Sequence, residues 1–125
     1  MKSLKKTVAT IAIAVLATLG LAACAPASPP IEVTVDTVIV DVRTSDEYVA
    51  GHLDGAVNID VQSADFDALV GQLPADGEYI LYCASGNRSA AAVDRMRGLG
   101  FSDLTDAGGL SEASEVTGIA TVTGP

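Results

Sequence analysis

The stretch that most restricts the fold runs from Glu78 to Leu99. Tyr79-Ile80-Leu81-Tyr82 is apolar throughout, the pattern of a strand covered on both faces. Cys83 ends it, and the loop Ala84-Ser85-Gly86-Asn87-Arg88 follows. From Ser89 to Leu99, residues Ala92, Val93, Met96 and Leu99 share one helical face, with Gly100 as the stop. A strand buried on both faces is the kind found in a parallel sheet covered by helices. The rest of the chain offers both strands and helices. Thr37 to Val42, with Val38-Ile39-Val40, reads as a second buried strand. Thr44 and Glu47 have capping-box spacing for a short helix that Gly51 ends. Ala56 to Ile59 reads as a short strand, and Ser63 to Leu73 as a helix with Phe66, Leu69, Val70 and Leu73 inward. Asp103 to Thr105 is a further strand before Gly108-Gly109. This alternation predicts an α/β fold, a small, mostly parallel sheet flanked by helices. Ser111 to Pro125 has no period, and no element is predicted there.

The N-terminus is of a different kind. Lys2, Lys5 and Lys6 precede an apolar run from Val8 to Ala23, shorter than the ~20 residues of a spanning helix. A basic start followed by such a run reads as a secretory signal. Leu21-Ala22-Ala23-Cys24 resembles the lipobox of bacterial lipoproteins. The resemblance implies cleavage before Cys24, lipid on its thiol, and anchoring at the extracytoplasmic face of a bacterial membrane. Two or more acyl chains hold a protein stably where one does not. The expected organisation is a signal at 1–23, a lipidated Cys24 with a Pro-rich tether to residue 30, and one domain over 31–125.

Charge supports that division. The whole chain carries a net −9, which argues against nucleic-acid binding. All three lysines leave with the signal. The remaining 102 residues hold four arginines against sixteen acids, a net −12. Such a surface is repelled by anionic headgroups, so lipid alone would hold it to a membrane. One histidine and two cysteines give no metal-ligand set and no disulfide scaffold, and no cofactor is expected. With Cys24 acylated, Cys83 has no partner within the chain.

Cys83 sits where α/β folds bind ligands, at the carboxyl end of a parallel strand. Its loop leads into a helix N-terminus, where amides lack partners and the dipole is positive. If successive loop amides turn inward, they form an anion nest around the sulfur. Gly86 and Asn87 tolerate the positive φ of such a curl, and Arg88 adds a cation. Each feature favours thiolate, and predicts a pKa below the free value of about 8.5.

Two segments resemble the rhodanese family of sulfurtransferases. The first runs Asp41-Val42-Arg43-Thr44-Ser45-Asp46-Glu47-Tyr48-Val49-Ala50-Gly51-His52-Leu53-Asp54-Gly55-Ala56-Val57-Asn58-Ile59. The second is Cys83-Ala84-Ser85-Gly86-Asn87-Arg88-Ser89, and Asp106-Ala107-Gly108-Gly109-Leu110 is similar to the family's late glycine turn. The resemblance implies that Cys83 takes a sulfane sulfur from thiosulfate or a persulfide and passes it to a thiol or cyanide. Residues Ala84, Ser85, Gly86, Asn87, Arg88 and Ser89 would bind the substrate, Arg88 by its charge. Asp41, Arg43, Glu47 and His52 read as support: Arg43 with Glu47 as an ion pair, Asp41 orienting the loop, His52 as a hydrogen-bonded scaffold residue. Tyr82 reads as strand packing. Two departures from the family bear on the sheet's margins: no aromatic follows Gly109, and the segment before Asp41 is too short for a leading helix.

Two other readings compete. Phosphatases and arsenate reductases of related fold place five residues between Cys and Arg, whereas four separate Cys83 from Arg88. A rhodanese-like module that docks or senses oxidants without turnover is the second, and the intact Cys83 weighs against it.

Overall fold

The structure, a computed structural model, describes residues 28–125. The signal segment and Cys24 lie outside the described residues. Ten elements follow in chain order. They are β1 (Thr37–Asp41), α1 (Ser45–Ala50), β2 (His52–Leu53), β3 (Val57–Asn58), α2 (Phe66–Val70), β4 (Glu78–Cys83), α3 (Asn87–Gly98), β5 (Asp103–Gly109), α4 (Leu110–Thr117) and β6 (Thr121–Val122).

The main sheet has the order β3-β1-β4-β5, and every pairing is parallel. The central strands β1 and β4 alternate side chains between two apolar layers, as the period of two requires. On one face Val40, Val42, Tyr79, Leu81 and Cys83 meet Phe66 and Val70 of α2 and Ala92, Val93 and Met96 of α3. On the other, Ile39, Ile80 and Tyr82 meet Leu53 together with Ala113 and Val116 of α4. The fold is therefore α/β with a parallel sheet between helical layers. It places the end of β4, and with it Cys83, at the sheet's carboxyl edge.

Several expectations need correction. The helix expected over Ser63 to Leu73 is regular only over Phe66–Val70. Ser63 closes a turn through its Oγ to the Asp65 amide, and Leu69 is exposed rather than inward. α3 starts two residues before Ser89, and β5 runs four residues beyond Thr105. The unassigned C-terminal stretch is structured. α4 buries Ala113 and Val116, Gly118 turns the chain at φ +70°, and β6 pairs antiparallel with β2. α4 packs through Ala113 and Val116 with Leu110 beside them, and β6 pairs with β2. Among the described residues before β1, 28–36, there is no helix, and Ile31 N–H bonds the Val116 carbonyl of α4.

Candidate active site

Cys83 is fully buried at the end of β4. A bulge lies beside it: Leu81 pairs with Asp106, but Cys83 pairs with Gly109, so β5 holds one extra residue. The chain then turns at Gly86, which has φ +95° and caps α3. A side chain at that φ is strained, which is why glycine stands there. Asn87 does not share the positive φ expected of it; it is already the first residue of α3.

The turn brings the Gly86 amide to 2.9 Å from Cys83 Sγ. Cys83 Sγ also lies 3.5 Å from Ser89 Oγ. Burial alone pushes the thiol up. The Ser89 hydroxyl and the amides of Ser89, Ser85 and Gly86 pull it down and prevail, so the thiol lies below its ordinary value. The buried sulfur is thus prepared to carry negative charge, the property a nucleophilic cysteine requires.

The loop is supported from β5. Ser89 Oγ lies 2.7 Å from Asp106 Oδ1 and 3.0 Å from the Gly86 carbonyl oxygen, so its one proton has these two acceptors besides Cys83 Sγ. Asp106 Oδ1 also accepts from the Gly108 amide. Gly109 lies directly beneath the loop: a Cβ there would stand 2.6 Å from the Ala84 carbonyl oxygen. Asp106 is a support residue that sequence reasoning missed. It was visible only as the first member of the late glycine turn, with nothing to connect it to Ser89 seventeen residues earlier.

The ion pairs differ from those expected. Arg43 does not pair with Glu47. It precedes the helix, where the four-residue spacing rule does not apply, and folds back on Asp41 with a 2.6 Å contact inside the protein. Its guanidinium also donates to the Gly51 carbonyl and lies 5.6 Å from the Tyr82 ring centre. Tyr82 OH donates to Asp41 and accepts from the Leu53 amide, so it is packed and fully partnered. Asn58 closes the network by donating to the Asp41 and Arg43 carbonyls. This buried set fixes the end of β1 beside the sheet edge that carries Cys83.

Glu47 turns instead to Arg88. The two form a bidentate pair, both contacts 2.8 Å, across 41 residues of sequence. Glu47 also completes the Thr44 capping box. Arg88 chiefly, with Thr44, holds the Glu47 carboxyl down to about 2. Arg88, expected to bind an anionic donor by its charge, is paired with Glu47. His52 is buried, stacked on Tyr48 at 3.7 Å, and its Nδ1–H donates to the Tyr48 carbonyl at 2.8 Å. Its contacts are those of a scaffold residue.

A groove of about 260 Å³ opens between β5, α4 and the N-terminal segment, lined by Ser28, Ile31, Asp106, Glu112 and Val116. It shares only Asp106 with the surroundings of the thiol. Among the described residues no cluster of side chains could hold a metal, and no helix is long and apolar enough to cross a membrane.

The described residues thus form a parallel α/β domain with a buried, hydrogen-bonded thiol at the sheet's carboxyl edge. The family model for the rhodanese-like domain matches residues 31–114, and the chain belongs to that family. It is 38% identical over 79 residues to a tRNA sulfurtransferase of Pyrobaculum aerophilum, covering 59% of this chain and 16% of that protein. It is also 38% identical over 68 residues to a thiosulfate sulfurtransferase of Pseudomonas fluorescens, covering 54% of this chain and 60% of that protein. The chain therefore spans less than two thirds of these relatives. Among solved structures, a rhodanese with anions from E. coli superposes with a TM-score of 0.60 at 24% identity, over 70% of this chain and 99% of that one, a likeness of fold.

Proposed function

We propose that the chain is a sulfurtransferase that carries a sulfane sulfur as a persulfide on Cys83. The observation that supports this most is the Gly86 amide 2.9 Å from a buried sulfur whose acidity is raised by its loop. The Cys83 thiolate attacks the outer sulfur of a donor. The donor's sulfur–sulfur bond breaks, and its electron pair leaves with the carrier, as sulfite when the donor is thiosulfate. The loop amides and the α3 N-terminus hold the negative persulfide. A thiol or cyanide then attacks the outer sulfur and returns the Cys83 thiolate, so the kinetics are ping-pong. No general base is assigned in this scheme, because the thiol is activated by its loop.

The second part of the proposal is location: Cys24 carries lipid, and the domain works at the extracytoplasmic face of a bacterial membrane. The motif Leu21-Ala22-Ala23-Cys24 after the apolar run supports it. Replacing Cys24 by Ala should release the protein from the membrane fraction; retention would contradict the anchor.

The activity is tested by thiocyanate formation from cyanide, with thiosulfate and a small organic persulfide as donors. Wild-type protein should turn over with at least one donor, and Cys83→Ser should not. Equal turnover by Cys83→Ser would refute the reading.

A further inference from the structure

Two glycines with positive φ lie against each other behind the thiol. Gly86, at φ +95°, gives Cys83 Sγ its amide at 2.9 Å. Gly108, at φ +77°, packs against it: a Cβ on Gly86 would stand 3.5 Å from Gly108 Cα. A left-handed glycine has no side chain to hold its own turn, so its neighbours must do so. Gly108 has two such neighbours. Its N–H donates to Asp106 Oδ1 at 3.0 Å, the oxygen that also lies 2.7 Å from Ser89 Oγ. The second neighbour is Glu112, whose carboxylate occupies the place of the missing side chain. A Cβ on Gly108 would overlap Glu112 Oε2 and stand 2.9 Å from its Cδ. Glu112 belongs to the first turn of α4 and is exposed, yet its carboxylate is held. Ser28 Oγ of the N-terminal segment donates to Glu112 Oε1 at 2.9 Å. That segment is fastened to the same helix, with the Ile31 N–H 2.8 Å from the Val116 carbonyl and the Ile31 side chain against the layer of Ala113 and Val116. A continuous line of contacts therefore runs from Ser28 through Glu112 and Gly108 to Gly86 and the sulfur.

We propose that Glu112, oriented by Ser28, is a positioning residue for Cys83: its carboxylate closes the Gly108 turn and keeps the Gly86 N–H aimed at the sulfur. The role in turnover rests on the sulfur transfer described above, whereas the effect on the thiol stands with or without it. Glu112 does not touch the thiol and acts through Gly108. Its bulk and its charge push the thiol in opposite directions. A carboxylate near a thiolate disfavours it, so loss of the charge alone would lower the thiol pKa. Loss of the bulk frees Gly108, lets Gly86 drift, weakens the amide hydrogen bond to Sγ and raises the pKa. Glu112→Gln keeps the shape without the charge, and Glu112→Ala keeps neither.

The pH profile of iodoacetamide alkylation on the full chain tests this, with peptide mapping to assign the label to Cys83 and not to Cys24. Glu112→Ala should move the midpoint upward and slow alkylation at neutral pH about threefold to tenfold, the worth of one weakened hydrogen bond. Glu112→Gln should restore most of the rate. Ser28→Ala should shift the profile in the same direction by less, and should add nothing in the Glu112→Ala background, as members of one chain of contacts do. Glu115→Ala removes another exposed carboxylate of α4 and should leave the profile in place. Loading of Cys83 from a small organic persulfide, followed by intact mass, should fall in parallel with alkylation in Glu112→Ala. Faster alkylation in both Glu112 variants would make the residue a charge and not a support, and an unmoved profile in Glu112→Ala would leave the turn to Asp106 alone; either result overturns the proposal. The expected alkylation shifts without any sulfur gained on wild-type Cys83 would uphold the positioning of the thiol and overturn the sulfurtransferase reading.

Discussion

Gly109→Ala tests whether the active loop is held by the strand beneath it. The added Cβ would stand 2.6 Å from the Ala84 carbonyl oxygen, 3.3 Å from its carbon and 3.5 Å from Ser85 Cα. All three neighbours are backbone, so no flexible side chain can swing aside. The Ala84 carbonyl must retreat by about 0.8 Å or more to restore ordinary contact, an overpacking that costs about 1–3 kcal/mol. The displacement falls on the residues next to Cys83, and Gly86 follows within the same turn. Its amide is one of the groups that hold the thiol below its ordinary value. The substitution should therefore lower the denaturation midpoint and also slow iodoacetamide alkylation of Cys83 at neutral pH. Gly98→Ala is the control. Gly98 ends α3 with nothing within 4 Å of an added Cβ. The change there should leave alkylation unaltered and raise stability by about 0.4–1 kcal/mol. If Gly109→Ala altered neither the midpoint nor the alkylation rate, the loop would not depend on β5 for its shape.

Three further outcomes are expected. Ser89→Ala removes a hydroxyl 3.5 Å from Cys83 Sγ that helps lower the Cys83 pKa, and the pH midpoint of alkylation should rise; an unmoved midpoint would leave the effect to the amides alone. Asp41→Ala strands the Arg43 guanidinium inside the protein and should cost about 3–5 kcal/mol by denaturation, against less than about 1 kcal/mol for a surface ion pair. Glu47 has its pKa depressed to about 2 in the folded protein, so its stabilising effect is complete above the unfolded value near 4.5 and is lost as pH falls toward 2. The carboxyl is partly exposed, so the loss is small. Glu47→Gln should flatten that part of the acid-denaturation profile, and an identical profile would contradict the pairing with Arg88.

The parts of the fold legible in the sequence are those whose signal is local. β4 was readable because Tyr79 to Tyr82 is buried on both faces, and α1 because Thr44 and Glu47 cap it reciprocally. β2 and β6 have two residues each, too few for any period, and exist because they pair with each other. α4 was missed because its buried residues, Ala113 and Val116, are small and sit among polar neighbours. At the site, Cys83, Gly86 and the helix start followed from the order of residues along one segment. The partners of Arg88 and Ser89 did not. Glu47 and Asp106 lie 41 and 17 residues away, and only the sheet brings them to the loop. Sequence spacing linked Arg43 to Glu47, whereas the fold places Arg43 beside the strand end and Glu47 above the loop.

The central claim is that Cys83 holds sulfur as an activated thiolate. Intact mass and peptide mapping after brief incubation with a small organic persulfide test it most directly. One sulfur atom gained on Cys83, removed by cyanide and absent in Cys83→Ser, is the predicted result. An unmodified Cys83, with or without sulfur elsewhere on the chain, would contradict it.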